Sequence, residues 1–264
     1  RGSILKWRNN YEHNIYPWRK SEVTGYSRGF YNLILKNYKC ILAKKGCAQK
    51  EIDEKAFQLV QNELLWADVT TDLTNRYLTF EFGPKKKSFL CNLIAPGIDP
   101  IVIQILYYVK DKGDKDSGVM NILGRVDNKF KEYQKDGMKE CIIVAHSLGS
   151  VIAFDYIFGF RKFKLDPSIN VKAFITMGSP IPIFTSSMGH IESDLKLPAN
   201  VNEWVNILDK DDAIARYCAP FFKNIAIREI EVNTGINPIK SHGLYWQSKQ
   251  TAKKIAEIIS ETDS

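Results

Sequence analysis

Apolar residues recur along this chain in two rhythms. Short solid runs, closed by small or acidic residues, occupy 140–145, 171–177, 201–208 and 225–232. Runs of that length, rich in Val and Ile, predict strands buried on both faces. Between them, apolar side chains return every three or four positions, the helical period. This predicts helices over 28–44 and over 50–67, the second marked by Phe57, Val60, Leu64 and Leu65. A helix is predicted from an N-cap at Ser117 to Asp136-Gly137, with Val119, Ile122, Leu123, Val126, Phe130 and Tyr133 on one face. Residues 149–160 are apolar nearly all round, which predicts a buried helix. The last helix, 243–259, turns Ala252, Ile255, Ala256 and Ile259 to one side. Between 70 and 100 the pattern is weaker; it supports a short strand over 77–82, closed by Gly83-Pro84, and a helix from Asp99-Pro100 to Val109. Strands and helices that alternate with short connections predict an α/β fold, a mainly parallel central sheet with helices on both faces.

Neither a repeat nor a low-complexity linker interrupts the 264 residues, so a single domain over 1–264 is expected. Its first part, 1–100, reads as helical and irregular, with early strands that the pattern does not locate; the clearer alternation fills 101–264. Hydrophobic residues make up 44% of the chain, enough for a packed core rather than a disordered segment. No window approaches the roughly 18 uninterrupted apolar residues of a spanning helix, and no secretory signal is read at the start. The five cysteines form no C-x-x-C pair, which argues against a zinc site and a disulfide framework; a reducing, cytoplasmic location fits. Net charge is +7, with lysines at Lys85-Lys86-Lys87, Lys249, Lys253 and Lys254. Most such lysines are solvated; the alternative is peripheral contact with an anionic membrane surface. The charge is dispersed and no nucleic-acid motif accompanies it, so no nucleic-acid partner is expected.

One segment carries chemistry. The strand 140–145 ends in Ala145-His146-Ser147-Leu148-Gly149 and runs at once into an apolar helix. A serine on so sharp a strand-to-helix turn needs small residues two before and two after it, and Ala145 and Gly149 supply them. Serine is a poor nucleophile without a base, and the base needs an acid to orient it. Of four histidines, His242 follows the last strand at the start of the last helix; His13 and His190 have no supporting context, and His146, beside the serine on a tight turn, is expected to pack behind it. In the α/β-hydrolases, which this elbow resembles, the acid follows the strand before the base and is commonly followed by one residue and then an aliphatic one; Asp212-Ala213-Ile214 matches that pattern, and Asp209 is the alternative. Asp155, eight residues beyond Ser147 on a helix, lies about 12 Å along the axis and is too far away.

Taken with Met177-Gly178-Ser179-Pro180, the stretch Trp204 to Ile214, and Ser241-His242 with Tyr245-Trp246, the elbow resembles a lipase-like serine esterase branch of the α/β-hydrolase superfamily over roughly residues 100–260. The resemblance implies ester hydrolysis through an acyl-enzyme on a Ser147–Asp212–His242 triad, with neither metal nor organic cofactor. It implies one oxyanion donor at the N–H of Leu148. The second donor usually comes from a His-Gly loop after an early strand. Residues 9–29 contain no His-Gly pair, and Gly25 in Thr24-Gly25-Tyr26-Ser27 is the nearest substitute. Two segments should border the site, 181–200 with Ile181, Ile183, Phe184 and Met188, and 213–223 with Ile214, Tyr217, Phe221 and Phe222. Their apolar side chains suggest a small-molecule or lipid ester with an apolar acyl group, if they are not simply core residues. The rival readings are acyl transfer to another acceptor through the same serine, and a non-catalytic binding protein on this fold.

Overall fold

The computed structural model describes residues 2–8, 27–65, 105, 108, 118–187 and 195–263. Six strands run parallel in one sheet: β1 (Gly2–Arg8), β2 (Val60–Leu65), β3 (Glu140–His146), β4 (Asn170–Met177), β5 (Trp204–Leu208) and β6 (Ile227–Glu231). Their spatial order is β2-β1-β3-β4-β5-β6. Every neighbouring pair is parallel, with Ser3 opposite Cys141 and Val60, and Met177 opposite His146 and Ile207. The sheet order explains where a site can form. From β1 the chain moves outward to β2, then returns to the far side of β1 to lay down β3. In open α/β sheets such a reversal of strand order, at the carboxyl ends of the strands, is the usual ligand position.

The long helices are α1 (Arg28–Lys44), α2 (Gln49–Gln58), α3 (Gly118–Lys135), α4 (Leu148–Phe158) and α7 (Lys249–Thr262); short ones are α5 (Ile181–Ser187) and α6 (Pro238–Gly243), with a 3-10 turn over Leu244–Gln247. Alternation along the strands divides the core into two layers. Cys141, Ile143 and Ala145 of β3, with Phe174 and Trp204, pack on α3 and α4. Ile142 and Val144, with Ala173, Ile175, Val205 and Ile207, pack on α1 and α7. Phe30, Ile34, Tyr38 and Leu42 repeat every fourth residue and give α1 a single buried stripe. This is the predicted mainly parallel sheet with helices on both faces. Among the described residues no helix is long and apolar enough to cross a membrane.

Three expectations change. The helix predicted over 50–67 stops at Gln58; Val60–Leu65 is strand β2, hydrogen-bonded to β1. Phe57, placed on the core face by spacing, is 81% exposed, and Ile52 and Ala56 are buried instead. The early strand that the pattern does not locate is Gly2–Arg8, which lies inside the sheet between β2 and β3. The last predicted helix also divides: His242 sits in the final turn of α6, ahead of the 3-10 turn and of α7, which has its own N-cap where Ser248 Oγ accepts the Thr251 N–H at 3.1 Å. The strand predicted at 77–82, the N-cap at Ser117 and most of the helix over 99–109 lie outside the described residues; Ile105 and Tyr108 are helical.

Candidate active site

Ser147 is the first residue beyond the carboxyl end of β3, beside the point where the strand order reverses. Its backbone stands at φ 54°, ψ −134°, and among the described residues it is the one non-glycine with positive φ. Such a conformation costs about 1–3 kcal/mol and persists where its surroundings hold it. Here they do. The Ser147 N–H bonds Met177 O of β4 at 3.0 Å. Its carbonyl accepts both the Ser150 N–H at 2.9 Å and the Ser150 hydroxyl at 2.5 Å. The Ser150 hydroxyl is itself 2.7 Å from that of Ser179. Below the turn, α4 is buried from Leu148 to Ile157, and Phe154 fixes it to the sheet with its ring 5.5 Å from Trp204 and 5.4 Å from Phe222. Gly159, at φ 70°, ends α4 as a left-handed cap.

The structure brings Ser147, His242 and Asp212 together. His242 Nε2 is 2.8 Å from Ser147 Oγ, and His242 Nδ1 is 2.9 Å and 3.1 Å from the two oxygens of Asp212. An ionised carboxylate only accepts, so Nδ1 carries the proton and the lone pair of Nε2 faces the serine hydroxyl. Asp212 is fixed by further donors: the N–H groups of Ile214 at 2.8 Å and Ala215 at 3.3 Å, and the Tyr245 hydroxyl at 3.0 Å. All three members are buried, with Ser147 at 6% exposure. Asp209, the alternative acid, faces elsewhere. It accepts the Asp211 N–H at 2.9 Å, and the Thr234 N–H and hydroxyl at 2.5 Å and 2.7 Å. Burial pushes its carboxyl up, but these hydrogen bonds outweigh it and hold the group below the usual carboxylate range. Asp155 lies away from the histidine and accepts the Tyr108 hydroxyl at 2.5 Å.

His146 packs behind the elbow, as its neighbourhood suggests. It is fully buried, its Nε2–H donates to the His242 carbonyl at 2.8 Å, and its ring lies 4.8 Å from that of His242. His13, His190, Gly25 and Met188 fall outside the described residues. Leu148 opens α4, so its N–H has no acceptor within the helix and points beyond its positive end. The bordering segments divide in their roles. Ile181, Phe184 and Phe222 belong to the core, whereas Ile183, Tyr217 and Phe221 are exposed on the segments that follow β4 and β5.

Two residues quoted above as motif positions, Gly178 and Tyr245, contribute in ways that the motifs do not state. Gly178, at φ 54°, follows β4, and a Cβ there would stand 2.9 Å from Tyr245 Cε2, 3.1 Å from Asp212 Oδ2 and 3.2 Å from His146 Nε2. Its bare Cα is what lets the acid, the tyrosine and the packed histidine converge. The signal was the glycine directly after a strand, a place where positive φ is common. The second is the Tyr245 hydroxyl, which spacing does not aim at anything. Among the described residues no group of three His, Cys, Asp or Glu side chains is placed to hold a metal ion.

The chain matches no protein-family model, and no curated protein matches it. Among solved structures it is similar to a predicted CIB-like hydrolase from Thermoplasma acidophilum, at 12% identity and a TM-score of 0.45, over 99% of this chain and 87% of that one.

Proposed function

We propose that this protein is a serine hydrolase that cleaves carboxylic esters with an apolar acyl group. The observation that carries the reading is the continuous hydrogen-bonded line from Ser147 Oγ through His242 to Asp212, buried at the reversal of a parallel sheet. Ser147 Oγ attacks the ester carbonyl carbon while His242 Nε2 takes its proton. Asp212 keeps the imidazole in the required tautomer and stabilises the imidazolium that forms. Negative charge on the former carbonyl oxygen is met by the Leu148 N–H and the positive end of α4. His242 then returns the proton to the departing alcohol. Water, deprotonated by the same histidine, releases the acid from the acyl-enzyme.

Gly25 remains the proposed source of the second oxyanion donor. Strand β1, hydrogen-bonded to the elbow strand, supplies the early strand that such a donor loop should follow, and Gly25 lies in the segment after it. The apolar acyl group is read from the segments after β4 and β5, on which Ile183, Tyr217 and Phe221 remain exposed. The test is a series of p-nitrophenyl esters of increasing chain length, with mass spectrometry of rapidly quenched enzyme. An acyl adduct on Ser147 and turnover that rises with acyl length are expected. Turnover that needs an added alcohol acceptor would move the assignment to acyl transfer. Neither adduct nor turnover across the series would favour a binding protein and sink the hydrolase reading.

A further inference from the structure

Tyr245 is completely buried, and its hydroxyl stands between the two acidic residues of the turn after β5. It donates to Asp212 Oδ2 at 3.0 Å and accepts the backbone N–H of Asp209 at 2.8 Å. Both of its strong hydrogen-bonding directions are therefore used, one on the triad acid and one on the backbone that carries it. On the other side of the turn, the Asp209 carboxylate grips Thr234, whose hydroxyl also lies 2.9 Å from Ser241 O. His242 is thus flanked on both sides: the residue three beyond it is tied to the β5 turn through its own hydroxyl, and the carbonyl of the residue before it shares the single Thr234 hydroxyl proton with Asp209, whose hold on the Thr234 N–H is separate.

We propose that Tyr245 is a positioning residue of the triad, whose hydroxyl fixes the orientation of Asp212 and moderates how strongly that carboxylate holds the proton of His242. The inference rests on the triad reading above. The titratable groups packed around His242 are Asp212 from the β5 turn, Tyr245 from the 3-10 turn, His146 from β3, and Ser147 itself, with Asp209 behind Tyr245. Burial, and then the neighbouring Asp212 charge, raises the Tyr245 phenol far above its ordinary range, so it remains a donor wherever the enzyme is folded.

The sign follows. A hydrogen bond to a carboxylate spreads its charge and lowers its pull on other protons. Without the Tyr245 donor, Asp212 draws more strongly on the His242 proton, the imidazolium is favoured, and the histidine gives up its proton at higher pH. The acidic limb of activity then moves up the pH scale, because the base is needed in its neutral form.

The experiment measures the rate at which a fluorophosphonate labels Ser147, and ester kcat and KM, across pH in wild type and Tyr245→Phe. The expected result is a limb displaced to higher pH and kcat lowered about tenfold, the scale of one hydrogen bond to a charged group, with KM nearly unchanged. 3-Fluorotyrosine at position 245 keeps the ring and strengthens the donor, so it moves the limb the opposite way; it serves also if Tyr245→Phe does not fold. Titration of the His242 imidazole by NMR reads the same shift without turnover. Labelled wild type with an unmoved limb in a folded variant overturns the role of Tyr245, as does a matched fall in stability and kcat with no change in the limb. Wild type that is never labelled overturns the triad reading itself.

Discussion

Gly178→Ala tests how tightly this site is built. An alanine there meets two separate penalties. At φ 54° the backbone is in the left-handed region, which costs a residue with a Cβ about 1–2 kcal/mol. The methyl would also stand 2.9 Å from Tyr245 Cε2, although carbon atoms settle at about 3.5–4.0 Å. The ring must therefore retreat by roughly 0.6 Å or more. It cannot swing into solvent, because it is fully buried and its hydroxyl is bonded on both sides. Overpacking of this kind costs about 1–3 kcal/mol, for a combined loss of about 2–5 kcal/mol. The displaced atoms include Asp212 Oδ2, so the geometry of the proposed base suffers as well; a misplacement near 1 Å is worth about a hundredfold in rate. The control is Gly137→Ala. Gly137 has φ 89° but nothing within 4 Å of its would-be Cβ, so it carries the backbone penalty alone. Urea unfolding gives the stabilities, and fluorophosphonate labelling gives reactivity without a known substrate. Gly178→Ala should lose clearly more stability than Gly137→Ala, and it alone should be slowed. Equal stability losses and equal labelling rates would refute the reasoning.

The two aspartates of the β5 turn should separate by assay. Asp212→Asn should lower ester turnover by orders of magnitude, about 10⁴-fold where an asparagine forces the wrong histidine tautomer, whereas Asp209→Asn should act mainly on stability. Asp209 is held below its ordinary range, so its contribution is present above the carboxylate's unfolded range and is lost as pH falls through its lower folded value; acid unfolding curves of wild type and Asp209→Asn should converge at low pH. Burial, and then Glu140, pushes the Cys141 thiol up to about 12, and Cys218 is buried while Cys40 is exposed. Iodoacetamide on the native protein at neutral pH should therefore modify Cys40 and spare Cys141 and Cys218 until denaturant is added, as mapped by peptide mass.

Much of the second half of the fold was legible because each element carries its own pattern. The solid run ending at His146 is a strand buried on both faces, and the all-round apolar run after Ser147 is a helix sunk in the core. The first half was harder for a physical reason. Gly2–Arg8 mixes Ile4, Leu5 and Trp7 with Lys6 and Arg8, and Val60–Leu65 keeps a helical spacing with Phe57; they become strands by pairing with each other, and Gly2–Arg8 also with β3, over separations that local pattern does not record. The same limit applies within the site. Chain order and the small residues of the elbow pointed to Ser147 and His242. The resemblance favoured Asp212 over Asp209, and it is Asp212 that the loop turns toward Nδ1; the contributions of Gly178 and Tyr245 exist solely in the approach of β4, the β5 turn and the 3-10 turn.

The proposed activity requires Ser147 to be an activated nucleophile. Labelling folded wild type with a fluorophosphonate beside Ser147→Ala tests it most directly, since the reaction needs the relay and an oxyanion site but no knowledge of the substrate. A single adduct is expected, located on Ser147 and lost in the alanine variant. Folded wild type that takes up no probe, or a Ser147→Ala protein labelled as fast as wild type, would contradict it.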